Sequence, residues 1–405
     1  MHKENPSMHA LRIWIDKPQN HWFRKLLFQV HLWVGIGIGL YVVLIGFTGA
    51  ALVFRDEMEH GVSTKLQSAA PAPASDLLAL ADAVRAKYPD RILTSIRNPT
   101  AEEPSVRAYL RKKEDYLALD VDPVSGAVLG VKSSETSFLR WLQLLHFDLL
   151  AGRTGRIFNG IGALLLLAMC LTGVVIWWPG FKNWKRSLRV DFSKKWKRVN
   201  WDLHSAAGIW TMAIITMWAV TGAYFAWPTE FRSLVNWFSP VSLAKVSKPD
   251  IANKGKYPPP DVRKLLAHAQ SLSPGSKLLS VSFPADDKGH IRFYLARENP
   301  PVYDTSDYHY FDPFTGQHLA VWRRGLNQSV GDVVMSWIGP LHFGTFGGQG
   351  PGGLAVKALW LCLGLIPPLL TVTGFLMYWN RYLSKRWAKL KRPEAKQDYS
   401  EPVPI

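Results

Sequence analysis

Four histidines stand in matching surroundings. His31 opens an apolar run and is followed seventeen residues later by Thr48-Gly49; His204 opens another and is followed seventeen residues later by Thr221-Gly222. Before two further apolar runs the chain reads Trp141-Leu-Gln-Leu-Leu-His146-Phe147 and Trp337-Ile-Gly-Pro-Leu-His342-Phe343. A neutral imidazole offers one ring nitrogen to a metal while the other donates a hydrogen bond. Two imidazoles facing each other across a helical bundle suit the two axial positions of a haem iron. Of the twelve histidines, the other eight lack this pairing. His2, His9 and His21 fall in the first segment, and His60, His268, His290, His309 and His318 in polar segments, where they read as solvated or hydrogen-bonded.

The elements that must position the four are membrane spans. The chain has 405 residues, 48% hydrophobic and 20% charged, with a mean hydropathy near zero. That balance suits membrane spans joined to sizeable polar parts. A span needs roughly 20 apolar residues. Four runs qualify, at about Val30–Phe54, Phe158–Trp178, Ala206–Trp227 and Leu354–Trp379. The first starts too late and runs too long for a cleaved signal, and no A-x-A-like site closes it. Pro367 and Pro368 predict a kink in the fourth. The two cysteines, Cys170 and Cys362, lie inside apolar runs, so no extramembrane disulfide is expected. No CxxCH is present, which excludes covalent c-type haem. The eighteen tryptophans suit interfacial belts.

Charge gives an orientation. The formal charge is +17, and 20 of the 48 basic residues lie in three short segments beside span ends. These are Lys3, Arg12, Lys17, Arg24 and Lys25; then Lys182, Lys185, Arg186, Arg189, Lys194, Lys195, Lys197 and Arg198; then Arg381, Lys385, Arg386, Lys389, Lys391, Arg392 and Lys396. The positive-inside rule puts all three in the cytoplasm, which explains the charge without nucleic acid. The expected layout is a cytoplasmic segment 1–24, a span in 25–55, an outer domain 56–140, and an interfacial segment with the second span in 141–180. A basic loop 181–203, a third span 204–228, a second outer domain 229–333, an interfacial segment with the fourth span 334–380, and a cytoplasmic tail 381–405 complete it. Both termini are expected inside.

The two halves follow one plan of span, outer domain and span. Thr172-Gly173 and Thr373-Gly374 recur in spans two and four. The outer segments share Asp122-Pro-Val-Ser-Gly126 and Asp312-Pro-Phe-Thr-Gly316, each between strand-like runs, which is a hairpin signal. Helical runs precede them at about Leu77–Tyr88 and Val262–Leu272, so each outer domain reads as a small α+β unit. A parallel repeat implies a pseudo-twofold axis along the membrane normal. It pairs His31 with His204 at an inner site and His146 with His342 at an outer one. Gly35, Gly37, Gly39, Ala206, Ala207 and Gly208 follow the inner pair. Gly152, Gly155, Gly344, Gly347 and Gly348 follow the outer pair. These small residues leave room for a flat macrocycle. Arg153 and Arg156 are candidate propionate partners. Zinc is the competing metal, but it wants three or four protein ligands, and no Asp, Glu or Cys recurs beside these histidines. The Thr-Gly pairs read as helix-packing positions. The GxGxxG match at Gly348–Gly353 lacks a preceding strand and reads as a turn.

This set of residues resembles the PepSY-associated transmembrane family over nearly the whole chain. The likeness rests on His31-Leu-Trp-Val-Gly with Thr48-Gly49, Leu145-His146 with Gly155-Arg156, His204 with Thr221-Gly222, and Leu341-His342 with Thr373-Gly374. It implies a bacterial inner-membrane protein with two periplasmic PepSY-like units, often linked to iron uptake. Similarity to ferrioxamine-type reductases implies two haems b on His31, His204, His146 and His342, and reduction of a ferric siderophore, hydroxamates among the candidates. The expected partners are membrane lipid, the siderophore, and a separate electron donor, either quinol or a cytoplasmic reductase. Tyr303, Tyr308, Tyr310, Trp322 and Arg323 are candidates for a ligand cleft. Two other readings stay open. One is a b-type cytochrome that feeds another periplasmic acceptor, and the other is a non-enzymatic binding or regulatory protein. A permease is disfavoured, since four spans leave little room for a path beside two haems.

Overall fold

The computed structural model describes residues 21–55, 57–58, 76–99, 105–112, 115–133, 138–181, 183–241, 246–297, 306–323, 329–348 and 350–390. His2, His9, His60, Tyr303, Lys3, Arg12, Lys17, Lys182, Lys391, Arg392 and Lys396 lie outside the described residues. The elements run α1 (Trp22–Leu52), α2 (Leu77–Lys87), β1 (Ile92–Arg97), β2 (Val106–Lys112), β3 (Asp115–Val121), β4 (Val128–Ser133), α3 (Phe138–Asp148), α4 (Gly152–Trp177) and α5 (Trp196–Ala226). They continue with α6 (Pro228–Phe238), α7 (Val262–Leu272), β5 (Lys277–Ser282), β6 (Ile291–Ala296), β7 (Ser306–Phe311), β8 (His318–Arg323), α8 (Val330–Phe343), α9 (Pro351–Gly364) and α10 (Ile366–Tyr378).

Among the described residues, four helical stretches are long and apolar enough to cross a membrane: α1, α4, α5 and Pro351–Trp387, which contains α9 and α10. This is a membrane protein. At roughly 1.5 Å per residue, even the 26-residue α4 exceeds the roughly 30 Å hydrocarbon core. Helices α1 and α5 begin earlier than their apolar runs, at Trp22 and Trp196, so His31 and His204 lie more than two turns inside. The expected irregularity in the fourth span falls at Leu365, between α9 and α10. Pro368 has no N–H for the Gly364 carbonyl four residues back. Cys170 and Cys362 are both free.

The chain divides into two compact units, one of residues 1–50, 161–220 and 361–405, the other of 51–160 and 221–360. In the first, helices approach closely at small residues. A Cβ at Gly46 would fall 2.5 Å from the Pro368 ring, one at Gly162 2.3 Å from the Tyr41 ring, and one at Gly39 3.0 Å from Thr371. Close packing at small residues is how helices associate where lipid offers no hydrophobic drive.

Among its described residues the second unit holds an eight-stranded antiparallel sheet in the order β4-β3-β2-β1-β5-β6-β7-β8. Alternation along each strand builds its core face. Val106, Ala108 and Leu110 of β2 and Phe293 and Leu295 of β6 are at most 1% exposed. Leu77, Leu78, Ala81 and Val84 of α2 and Leu265 and Ala269 of α7 close this face into a single apolar cluster. The turns carry the expected chemistry. Asp122 accepts from the Val124 and Ser125 N–H groups, and Asp312 from those of Phe314 and Thr315. Both carboxyls sit below the usual carboxylate range. For Asp122 the Ser125 N–H leads. For Asp312 burial pushes upward, and the N–H donors of Asp250, Thr315 and Phe314 outweigh it. The strands of 56–140 and 229–333 share this sheet, because β1 pairs with β5 through Ser95↔Ser282, Ile96↔Val281 and Arg97↔Ser280.

Candidate functional site

The first unit brings His31 and His204 together. Their ring centroids lie 6.5 Å apart, with planes at 87°. Each ring is held from a neighbouring helix by a Thr-Gly pair. His31 Nδ1 meets Thr172 Oγ1 at 2.9 Å, and His204 Nδ1 meets Thr373 Oγ1 at 3.0 Å. The threonine protons are already committed, since Thr172 donates to the Ala168 carbonyl and Thr373 to the Leu369 carbonyl, both at 2.8 Å. Each hydroxyl oxygen therefore accepts from imidazole Nδ1–H. A backbone carbonyl beside each ring supports the same tautomer: Leu370 O lies 3.0 Å from His204 Nδ1, and the Met169 backbone takes a hydrogen bond from His31. Nε2 of each histidine then carries the lone pair that a metal requires. The glycines seat the rings. A Cβ at Gly173 would lie 3.4 Å from His31 Cε1, and one at Gly374 3.2 Å from His204 Cε1. The Thr-Gly pairs thus do more than the helix packing expected of them; they hold and orient the imidazoles.

In the second unit, His342 lies in the last turn of α8, and Thr221 Oγ1 meets its Nδ1 at 2.7 Å. Phe225 and Phe343 flank its ring at 5.1 and 5.3 Å between centroids. Gly344 ends the helix at once with a φ of 70°, which glycine adopts without steric cost. His146, near the end of α3, is within electrostatic reach of His342. The α3–α4 corner is tightly determined. Asn159 Nδ2 donates to the His146 and Phe147 carbonyls at 2.7 and 3.1 Å. Leu149 and Leu150 take positive φ values of 49° and 60°, and a Cβ at Gly155 would overlap the Asp148 carbonyl at 1.7 Å. Such strain persists where surrounding contacts fix it, and it often marks function. Arg156 is committed to the buried Asp148 at 2.9 Å, and Arg153 is exposed. Gly155, Gly344 and Gly348 therefore serve backbone corners here.

Among the described residues no three His, Cys, Asp or Glu side chains converge as a metal site. The proposed cleft residues divide between two faces of the sheet. Tyr308 stacks between Tyr294 and Trp322 at 4.8 and 5.2 Å, forming a cross-strand aromatic ladder. Arg323 turns to the helix-covered face and donates to the Leu272 carbonyl. Sequence reading missed Thr172, Thr221 and Thr373 as histidine partners, Phe225 beside His342, and Asn159. The recurrence of Thr-Gly at equal spacing was the signal that could have found the threonines.

The pattern of the family described as PepSY-associated TM region matches residues 28–381. A protein of Pseudomonas aeruginosa, described only as uncharacterized, is 25% identical over 269 residues, which cover 61% of this chain and 64% of that protein. The chain thus spans a little under two thirds of that relative's length.

Proposed function

The chain belongs to the PepSY-associated transmembrane family, and from that premise we propose that it is a di-haem electron carrier of the bacterial inner membrane. It takes electrons from quinol or a cytoplasmic reductase and reduces a ferric siderophore in the periplasm. Reduction frees iron because Fe(II) is a weaker partner than Fe(III) for hard oxygen chelators. The basic segments beside the spans support cytoplasmic termini. Equal spacing of matching residues in the two halves supports a parallel repeat with two PepSY-like units.

The His31–His204 geometry carries this reading. Two imidazoles that would hold one haem iron between them, each nitrogen roughly 2 Å from the metal, would have centroids roughly 6–6.5 Å apart. The observed separation is 6.5 Å, and both Nδ1 atoms are already engaged by threonine oxygens. His31 and His204 would hold the inner haem b, and His146 and His342 the outer one. Bound haem iron supplies one-electron chemistry between Fe(III) and Fe(II). The protein's own residues fix the ligand tautomers, shield the rings from water and set ligand basicity through Thr172, Thr373 and Thr221. The Tyr294–Tyr308–Trp322 ladder offers a rigid aromatic surface for an organic chelate.

The test is anaerobic mixing of the dithionite-reduced, desalted protein with a ferric hydroxamate, with an Fe(II)-specific chelator present. The reading expects haem reoxidation with matching Fe(II) release. Reoxidation by ferricyanide but not by any ferric siderophore would replace this acceptor with another periplasmic one.

A further inference from the structure

The sheet contains a second histidine cluster, remote in sequence from the four above. His309 on β7 is completely buried, His318 on β8 is half-buried, and His268 on α7 is exposed. We propose that His309 and His318, with His268 as third ligand, form a binding site for a first-row divalent cation of the zinc type. This goes beyond the haem reading and does not depend on it.

Register provides the first argument. Leu119 lies opposite Ala108 and Val131 in β2 and β4, just as His309 lies opposite Phe293 and Val321 in β6 and β8. Val128 faces Val121 as His318 faces Phe311. Counted from the capping residues Asp76 and Asp261, Ala83 of α2 occupies the place of His268 in α7. The residues just past these helices are Tyr88 and Ser273. The other half carries Leu119 and Val128 in its strands and an exposed Ala83 on its helix at these places, so the fold itself has no need of three imidazoles here.

Hydrogen bonding provides the second. Ser273 Oγ donates to Asp307, whose carboxylate is held by Arg297 Nε at 2.9 Å. The serine oxygen must then accept from His309 Nε2–H, 2.9 Å away. That leaves a lone pair on the buried His309 Nδ1, aimed at His318 Nε2 at 3.3 Å. Two nitrogens, each roughly 2.0–2.1 Å from one tetrahedral zinc, lie roughly 3.3–3.4 Å apart. In the metal-free protein the His318 Nε2–H fills this gap. On binding, the proton moves to Nδ1 of the same ring, an imidazole that has a hydrogen-bond acceptor in the Ala320 backbone. No net proton is lost. The Asp307–Ser273 buttress behind His309 is the kind of support that orients metal-bound imidazoles.

The third ligand comes from the surface. The His268 ring centroid lies 5.6 Å from that of His318. Among the described residues no three ligands are already gathered, so His268 closes the site by turning about its own side-chain bonds. Water fills the fourth position. The gradient from exposed His268 to buried His309 gives a cation its way in.

The test is calorimetric titration of Zn2+ into the full-length, detergent-purified protein, compared with His318→Val, His318→Gln and His268→Ala. Valine is what the sheet already carries at position 128, and glutamine keeps polarity and length, so at least one His318 variant should fold, as judged by circular dichroism. The proposal expects one tight Zn2+ per chain in the wild type, absent from the folded His318 variant and weakened about tenfold or more in His268→Ala. Absence of tight Zn2+ binding in the wild type, or the same number of tight sites in a folded His318 variant, would overturn it. Unchanged affinity in His268→Ala would remove the third ligand.

Discussion

Thr172 holds the His31 imidazole, its hydroxyl oxygen 2.9 Å from Nδ1 and its own proton given to the Ala168 carbonyl. Thr373 repeats the arrangement on His204. A hydrogen bond accepted from Nδ1–H makes Nε2 a better electron donor to a metal and keeps it free of its own proton. Replacing Thr172 or Thr373 with valine, nearly isosteric but without the acceptor, should weaken haem binding at the inner pair by roughly 10–100-fold. It should also raise the inner midpoint potential, while serine restores both. Potentiometric titration of each variant checks this, and an unchanged potential in Thr172→Val would refute the role.

Pairing makes a separate prediction. His31→Ala or His204→Ala should remove one haem and leave the spectrum of the other. His146→Ala or His342→Ala should remove the complementary one. Haem content and electron paramagnetic resonance of the four variants distinguish the two sites. Equal loss of both haems from every folded variant would contradict two independent pairs.

Asn159 ties the corner after His146 by donating to the His146 and Phe147 carbonyls. Asn159→Ala leaves those carbonyls without this donor and frees a strained turn. The expected result is an altered low-spin signal from the outer haem, with the inner signal unchanged. A change confined to the inner signal would show that the corner does not position His146.

The turn aspartates offer a stability test outside the membrane. Asp312 is 1% exposed and accepts from three backbone N–H groups, those of Asp250, Phe314 and Thr315. Asp312→Ala should cost about 1–3 kcal/mol, since it leaves buried donors unpaired. Asp122→Ala, at an exposed turn, should cost less. The Asp312 carboxyl is held below the ordinary range, because its N–H donors outweigh burial. Its contribution is therefore fully present above the unfolded value of roughly pH 3.9 and is lost as pH falls through the lower folded value. Melting curves of wild type and Asp312→Ala that differ equally at neutral and strongly acid pH would contradict this.

Much of this was legible in the chain. The apolar runs, the recurring histidines and the Asp-Pro-x-Ser/Thr-Gly turns are local patterns, and local patterns survive in sequence. The β1–β5 joint did not show. Ser95 and Ser282 lie far apart along the chain, and nothing in either strand names its partner. The threonine–histidine contacts were half visible: spacing marked the threonines as special, but only helix rotation reveals that Thr172 meets His31. His309 read as a solvated or hydrogen-bonded side chain. Its hydrogen bonds are present, but its complete burial depends on α7 packing over the face that β6, β7 and β8 share.

The most direct test of the central claim is the visible spectrum of the detergent-purified protein, oxidised and dithionite-reduced, with haem counted per chain by pyridine haemochrome. The His31–His204 and His146–His342 pairs predict sharp reduced bands of low-spin haem b at close to two per chain. A folded protein that carries no haem, even when expressed with ample haem supply, would contradict the electron-carrier account.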